Sequence, residues 1–280
     1  MATMRHTWIG CGTVLVMVAA MSAPAAGMRY ADFVHAYTWG NGEAGYDDPS
    51  GALGRPERMT GEGTDFPAQV EPMNPPWLAT EIASIGPDSG ELVLGFNGPV
   101  LNDRGDGFDA DLIVFGNTFF TGDFSNWPDV YITTPAATNA EVGKIEVSQD
   151  AAAWYEVPGV FADSLWPTLG YVGADGVTPT NLWEPMDPSL ALSDFDGLSL
   201  ADAAALYGTS GGGAAVDISD AVDEQDAPAG LDWISFIRVT VPAGETYSTE
   251  VDGVAVVPEP ATLGVVALGS LTALWRRRRG

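Results

Sequence analysis

Hydrophobic residues form two continuous apolar runs near the ends of the chain and many shorter runs between them. The first long run covers residues 8–21, follows Arg5 and His6, and is succeeded by small residues at positions 22–27. A basic start, an apolar run and a small-residue stretch are typical of a secretory signal peptide. We therefore expect residues 1–26 to be a signal peptide and the exported body to begin near residue 27.

The chain between the terminal runs alternates short β-type runs with turn-forming clusters. Residues 29–90 are rich in Gly, Pro, Asp and Asn, which predicts loops with one or two short strands around a core. Later runs rich in Val, Ile, Leu and Phe predict strands at residues 91–96, 111–115, 130–134, 142–148, 154–157, 234–241 and 250–257. Residues 148–151 predict the turn between the fourth and fifth of these strands.

One segment predicts a helix. Ser199 precedes residues 200–207, Asp202 follows Ser199 by three positions, and Gly208 comes after the segment, which is a capping pattern with a helix stop. Residues 167–196 predict an irregular excursion. Many short strands with a single helix predict an all-β fold, a β-sandwich or jelly roll with one short helix and long loops, in one body of residues 27–256.

The second apolar run, residues 261–275, carries no charge. A helix needs about twenty apolar residues to cross a bilayer, so this run predicts a short transmembrane helix. The arginines after it would stay in the cytoplasm by the positive-inside rule, which leaves the body on the other side of the membrane. The flanking residues are Pro258, Glu259 and Pro260 before the run, and Arg276, Arg277, Arg278 and Arg279 after it.

This order of Pro-Glu-Pro, apolar span and arginine cluster in residues 257–280 resembles the tail of the PEP-CTERM proteins, which Gram-negative bacteria export to their envelopes and exopolysaccharide. In that group the tail is a sorting signal that an exosortase-type membrane protease removes. The resemblance implies transient anchoring in the inner membrane and a final location in the periplasm, outer envelope or extracellular matrix. A membrane helix that stays attached is the alternative, but it gives no role to Pro-Glu-Pro.

The chain is strongly acidic, with 38 Asp and Glu against 11 Lys and Arg and a formal net charge of −27. This balance argues against nucleic acid and anionic membrane surfaces as partners, and it suits divalent cations, neutral or basic ligands and simple solubility outside a cell. The one cysteine, Cys11, lies in the predicted signal peptide. We therefore expect no thiol chemistry in the body.

The densest acidic loop spans residues 102–111 and combines Asp, Asn and Gly. Ca²⁺ takes six to eight oxygen ligands, and closely spaced carboxylates in such a turn supply several of them. The spacing differs from that of an EF-hand. We hypothesise one structural Ca²⁺, with a solvated turn between two strands as the alternative. The predicted ligands are Asp103, Asp106, Asp109 and Asp111.

Catalytic candidates are few. His35 is the one histidine of the predicted body, which leaves a nucleophilic triad one possible base and excludes a zinc site built on several histidines. Paired carboxylates, which are all that glycoside hydrolysis requires, are the one catalytic arrangement that the composition leaves open. We assign no pair, because so many acidic residues make some pair plausible by chance.

Several segments of the body resemble discoidin-type or galactose-binding-like β-sandwich modules. The most recognisable piece is Val147-Ser148-Gln149-Asp150 followed by Trp154, and the resemblance extends over about residues 48–256. Such modules usually have Gly after the turn Asp, whereas this chain has Ala151. The resemblance implies a β-sandwich with a carbohydrate ligand.

Aromatic residues in the predicted loops give the last indication of function. Sugar rings pack their apolar faces on exposed aromatic rings, which combine an apolar body with a polar edge. We expect an exposed binding rim formed by Phe119, Phe120, Trp127, Trp166 and Trp183.

The sequence therefore predicts an exported, non-catalytic envelope or matrix protein that binds extracellular polysaccharide. A carboxylate-dependent glycoside hydrolase or lyase acting on the same polymer is one alternative. A purely structural surface protein without a specific ligand is the other.

Overall fold

The computed structural model describes residues 29–102, 110–126 and 129–258, and within them the chain is mostly β. The strands are β1 (Arg29–Tyr30), β2 (Phe33–Thr38), β3 (Met59–Thr60), β4 (Ala68–Gln69), β5 (Ala83–Ile85), β6 (Glu91–Leu101), β7 (Leu112–Phe115), β8 (Gly122–Asn126), β9 (Asp129–Ile132), β10 (Gly143–Ser148), β11 (Tyr155–Ala162), β12 (Ala214–Val216), β13 (Trp233–Thr240), β14 (Thr249–Val251) and β15 (Gly253–Val256). The helix α1 spans Leu200–Leu206, and short 3-10 helices span Pro49–Ala52, Val172–Ala174, Leu192–Phe195 and Ile218–Asp220.

Two antiparallel sheets form the core. The larger has the strand order β11-β10-β13-β6-β2, and the smaller has the order β1-β15-β7-β12. Alternate residues of both sheets enter one buried cluster, as Leu94 and Ile237 do from the larger sheet and Val114 and Val254 from the smaller. Side chains alternate between the faces of a strand, so each sheet turns one apolar face toward this cluster. The arrangement is consistent with a β-sandwich.

The predicted turn at residues 148–151 joins β10 to β11, which pair as a hairpin. Ser148 Oγ accepts hydrogen bonds from the backbone N–H groups of Asp150 (3.2 Å) and Ala151 (3.0 Å). Asp150 Oδ1 accepts from Ala152 N at 2.9 Å. Short polar side chains that bond nearby backbone groups favour a tight turn, and this part of the prediction is confirmed.

The predicted strand at residues 250–257 is two strands in the structure. The first, β14, pairs with β5, and the second, β15, pairs with β7 and β1. Asp252 lies between them, and its carboxylate accepts the Glu57 N–H at 3.1 and 3.2 Å. The chain therefore passes from one sheet to another at Asp252, and the prediction of one continuous strand was wrong.

The N-terminal part of the body contains more strands than the one or two that its sequence predicts. Five strands, β1 to β5, lie before residue 90. Three of them pair with distant partners, namely β1 with β15, β2 with β6 and β5 with β14. Short strands that pair with distant segments leave little alternation of apolar and polar residues in their own sequence. The local pattern therefore underestimates the number of strands in this part of the chain.

The predicted helix is confirmed at Leu200–Leu206, with Ser199 Oγ accepting a hydrogen bond from Asp202 N at 3.2 Å. Gly208 follows with φ at 59°, a left-handed conformation that commonly ends helices. Ala203 and Ala204 pack in a second buried cluster with Phe195 and Tyr207. The irregular excursion before α1 supplies much of this cluster.

Among the described residues there is no helix with the length and apolar character needed to cross a membrane. The predicted signal peptide and the predicted membrane helix of residues 261–275 lie outside the described part of the chain.

Candidate functional site

A pocket of about 370 Å³ opens where the two sheets meet at one side of the body. The strand β11 is the edge of the five-stranded sheet, and β12 is the edge of the four-stranded sheet. Both strands contribute to the pocket together with the turn after β11 and part of the excursion. Its lining consists of Gly159, Val160, Phe161, Ser164, Leu165, Trp166, Met186, Pro188, Gly213, Ala214 and Ala215.

Two aromatic side chains form part of this lining. The half-buried Trp166 ring has its centroid 5.1 Å from that of Phe195, so the second cluster supports it from behind. The Trp166 carbonyl accepts a hydrogen bond from Gly213 N at 2.9 Å, which fixes its backbone against the start of β12. Phe161 is 37% exposed. The pocket therefore combines a fixed indole with an accessible phenyl ring.

Polar groups beside these rings come mainly from the backbone. An edge strand has one row of N–H and C=O groups outside the ladder of its own sheet, and β12 is such a strand. Ser164 Oγ donates a hydrogen bond to the Phe161 carbonyl at 2.6 Å. An apolar wall with a few convergent polar groups is the usual composition of a site for a small organic ligand.

The five predicted rim aromatics do not form one exposed surface. Phe120 is 1% exposed and stacks on Phe195 with ring centroids 4.9 Å apart. Phe120 belongs to the second cluster, and the excursion covers its ring. The expectation that this side chain is exposed was therefore wrong. Trp166 also packs on Phe195, but it lies at the edge of the cluster and reaches the pocket.

The other predicted aromatics lie elsewhere. Trp183 packs on Tyr30 with centroids 5.2 Å apart, and its Nε1 donates to the Arg29 carbonyl at 3.3 Å. These contacts belong to a third cluster, which covers the other face of the four-stranded sheet. Phe119 is half-buried, and Trp127 lies outside the described residues.

The predicted metal-binding loop lies mostly outside the described residues, which include Asp111 but not Asp103, Asp106 or Asp109. Asp111 is 2% exposed, and its Oδ2 accepts a hydrogen bond from Ile218 N at 2.8 Å. That contact ties the start of β7 to the turn after β12. The Ca²⁺ site of this loop stays a prediction.

A cluster of three carboxylates that the sequence analysis did not single out lies in another part of the body. One carboxylate oxygen from each of Glu141, Asp163 and Glu250 lies within 4.8 Å of the other two. Glu141 precedes β10, Asp163 directly follows β11, and Glu250 belongs to β14. Asp163 is 2% exposed and Glu250 is 4% exposed. No local spacing links these three residues, and only the fold brings them together.

The electrostatics of this cluster are dominated by burial. Burial raises the pKa of Asp163 well above its usual range, and the negative charge of Glu250 adds to the effect. Burial likewise raises the pKa of Glu250 to about 7, although the hydrogen bond from Ser84 opposes the rise. The pKa of Glu141 is also raised by burial. The fold therefore concentrates negative charge where water reaches it poorly.

Comparison with known proteins identifies the C-terminal segment. No curated protein matches the chain. The PEP-CTERM protein-sorting motif matches residues 256–279, beginning at the last residue of β15. Pro258 is described, whereas Glu259, Pro260 and the four arginines lie outside the described residues. The match covers the tail alone, so the resemblance of the body to galactose-binding-like modules stays a prediction. The tail carries the sorting signal of an exported protein that is processed by an exosortase, a membrane protease.

Proposed function

We propose that this protein is a non-catalytic component of the cell envelope or extracellular matrix that binds extracellular polysaccharide in the pocket beside Trp166. The observation that carries the proposal is the position of Trp166, which is supported by Phe195 on one side and lines an open pocket on the other. A sugar ring has an apolar C–H face and a polar rim of hydroxyl groups. A fixed indole beside the backbone of an edge strand complements both.

The charge of the pocket favours a neutral polymer. None of the residues that line it in the described part of the chain is charged. The whole chain has a net charge of −27, which repels polyanions. Uncharged sugar units therefore fit this site better than uronic acids or sulfated sugars do.

The positions of the carboxylates support binding without cleavage. Glycoside hydrolysis uses two carboxyl groups on either side of the scissile bond, and the lining of the described pocket contains neither Asp nor Glu. Asp163 and Glu250 do lie near each other, but they are 2% and 4% exposed. A polysaccharide chain has no access to carboxylates that are buried to this degree.

The sorting motif supports the proposed location. A body delivered by this signal is held transiently at the inner membrane by its tail and then joins the outer envelope or the extracellular matrix of a Gram-negative bacterium. The galactose-binding-like character predicted for the body agrees with a sugar ligand.

A glycan array combined with a reducing-sugar release assay tests the proposal on the purified protein. We expect binding to neutral glycans and no release of reducing ends from the bound polymer. Release would establish a glycoside hydrolase or lyase instead. An array without any bound glycan would support a purely structural surface protein.

A further inference from the structure

We propose that Glu141, Asp163 and Glu250 bind one Ca²⁺ ion, which joins β14 to the turn after β11 and to the segment before β10. The three side chains come from separate parts of the chain, and each supplies a carboxylate oxygen within 4.8 Å of the other two. This site is distinct from the acidic loop of residues 102–111 and from the pocket beside Trp166.

An unpartnered oxygen inside the cluster indicates a missing ligand. Glu250 is 4% exposed, and its Oε1 accepts a hydrogen bond from Ser84 Oγ at 2.8 Å. Its Oε2 is buried and accepts no hydrogen bond from an N–H or hydroxyl group among the described residues, and the carboxyl groups nearest to Glu250 are those of Asp163 and Glu141, which bond to it only when one of the pair carries a proton. Buried carboxylate oxygens are normally hydrogen-bonded or coordinated to a metal. A cation between the three carboxylates would satisfy Oε2.

The charge of the cluster also calls for a cation. Within the described residues, none of the three carboxylates forms an ion pair with Lys or Arg. Glu146 is a useful comparison, because it is 8% exposed and pairs with both Arg238 and Lys144. Buried charges in proteins are paired or coordinate metals. The chain supplies a cation to Glu146, and we infer that solvent supplies one to the cluster.

The donor chemistry of the cluster suits Ca²⁺. All donors are oxygens, which suit hard cations rather than zinc or copper. Two oxygens bound to one Ca²⁺ at its usual bond lengths are at most about 5.2 Å apart, and oxygens that all lie within 4.8 Å of one another are compatible with a shared ion. Mg²⁺ demands a near-ideal octahedral geometry and keeps more of its waters, so it suits three carboxylates from separate segments of the chain less well.

The fold holds the carboxylates in position before an ion arrives. Asp163 Oδ1 accepts a hydrogen bond from Thr118 N at 2.7 Å, and its Oδ2 accepts from Glu250 N at 3.3 Å. Glu141 N donates to the Asp163 carbonyl at 3.2 Å, and Thr249 Oγ1 donates to the Glu141 carbonyl at 2.7 Å. These contacts fix the ligands relative to one another, so little rearrangement accompanies binding.

Thermal unfolding in Ca²⁺ and in chelator tests the site. In the wild-type protein, Ca²⁺ at about 100 times its Kd should raise Tm by about 5–10 °C. Glu250→Gln should abolish that rise. In chelator its Tm should equal or exceed that of wild type, because the substitution keeps the shape of the side chain and removes a repelling charge. Glu141→Gln, a second variant at a less buried position, should also abolish it. Glu146→Gln is the matched control and should keep the full rise.

The acidic loop could also respond to Ca²⁺, so the same measurements are made on a variant in which its carboxylates are replaced. This variant carries Asp103→Asn, Asp106→Asn and Asp109→Asn. Calcium titration calorimetry in this background should give one bound ion, and addition of Glu250→Gln should weaken its binding at least about tenfold. A Ca²⁺ response that survives Glu250→Gln and Glu141→Gln would overturn the proposal. So would a wild-type Tm that is the same in Ca²⁺ and chelator, which would indicate that protons alone neutralise the cluster.

Discussion

Arg29 and Val256 lie opposite each other in the register between β1 and β15. These strands are the first and the last of the described body, and they pair antiparallel in the four-stranded sheet. The chain therefore enters and leaves this sheet at the same end. The PEP-CTERM match begins at residue 256, so the sorting motif follows the sheet without an intervening linker.

The body should fold without its sorting tail. A chain that ends at Pro258 keeps β15 between β1 and β7, so its Tm should lie within about 2 °C of the full-length value. A chain that ends at Asp252 lacks β15 and loses both pairings. We expect no cooperative unfolding transition in circular dichroism for the shorter chain, because an inner strand of the sheet and the buried Val254 are missing. A cooperative transition there would show that β15 is dispensable.

Ala151 should be a source of backbone strain in the β10–β11 turn. Its φ is 59°, a left-handed conformation in which Cβ crowds the backbone of residues other than Gly. Ala151→Gly should stabilise the protein by about 0.5–1 kcal/mol. The strain energy removed from the folded state is larger than the free energy by which the extra conformational entropy of Gly stabilises the unfolded chain. Urea denaturation measures the difference.

Gly159 provides the matched control for Ala151→Gly. It has φ at 79°, and a Cβ added there would meet no heavy atom within 4 Å. Gly159→Ala should therefore destabilise the protein by about 1 kcal/mol through backbone strain alone. An Ala151→Gly variant less stable than wild type would contradict the strain argument.

Glu146 should contribute stability that depends on pH. Arg238 Nε donates to Glu146 Oε2 at 2.8 Å, and Lys144 lies 3.1 Å from Oε1. Burial acts to raise the pKa of Glu146, but Arg238 and Lys144 outweigh it and lower the pKa below the usual 4.5. The ionised form is therefore favoured more in the folded state. Its contribution is complete above about pH 4.5 and is lost as the pH falls through the lower folded-state pKa.

Denaturation at two pH values measures this contribution. Glu146→Gln should cost about 1–3 kcal/mol at pH 7 and much less below the folded-state pKa, where the wild-type carboxyl is also neutral. Glu156 also lies near Lys144, at 3.8 Å, but its side chain is 46% exposed. Glu156→Gln should cost less than about 1 kcal/mol at either pH. A loss for Glu146→Gln that is equal at both pH values would contradict the electrostatic account.

Local features of the fold could be predicted from the sequence, whereas features that depend on long-range pairing could not. The Ser199 cap and the Ser148–Asp150 turn involve residues only a few positions apart, so their side-chain chemistry is visible in the sequence. In contrast, β2 is recognisable only from its pairing with β6, and β5 only from its pairing with β14.

The same distinction explains the candidate sites. Phe120 and Trp166 are both aromatic residues in irregular segments, and both contact Phe195. Whether the ring of each residue is buried depends on how the excursion of residues 167–196 packs. The sequence around each aromatic residue gives no information about that packing. The carboxylate cluster is harder still to predict, because Asp163 and Glu250 are 87 positions apart in the sequence. They come together only because the turn after β11 packs against β14.

Polysaccharide affinity of pocket variants tests the central claim most directly. Affinity electrophoresis through gels that contain neutral exopolysaccharide from the producing cells gives the Kd of wild type, Trp166→Ala and Phe161→Ser, with Tm measured for each to verify folding. Phe124, which is 59% exposed and outside the pocket, supplies the control Phe124→Ser. We predict that both pocket variants weaken binding about tenfold or more and that the control does not. Unchanged affinity in folded Trp166→Ala and Phe161→Ser would contradict the account.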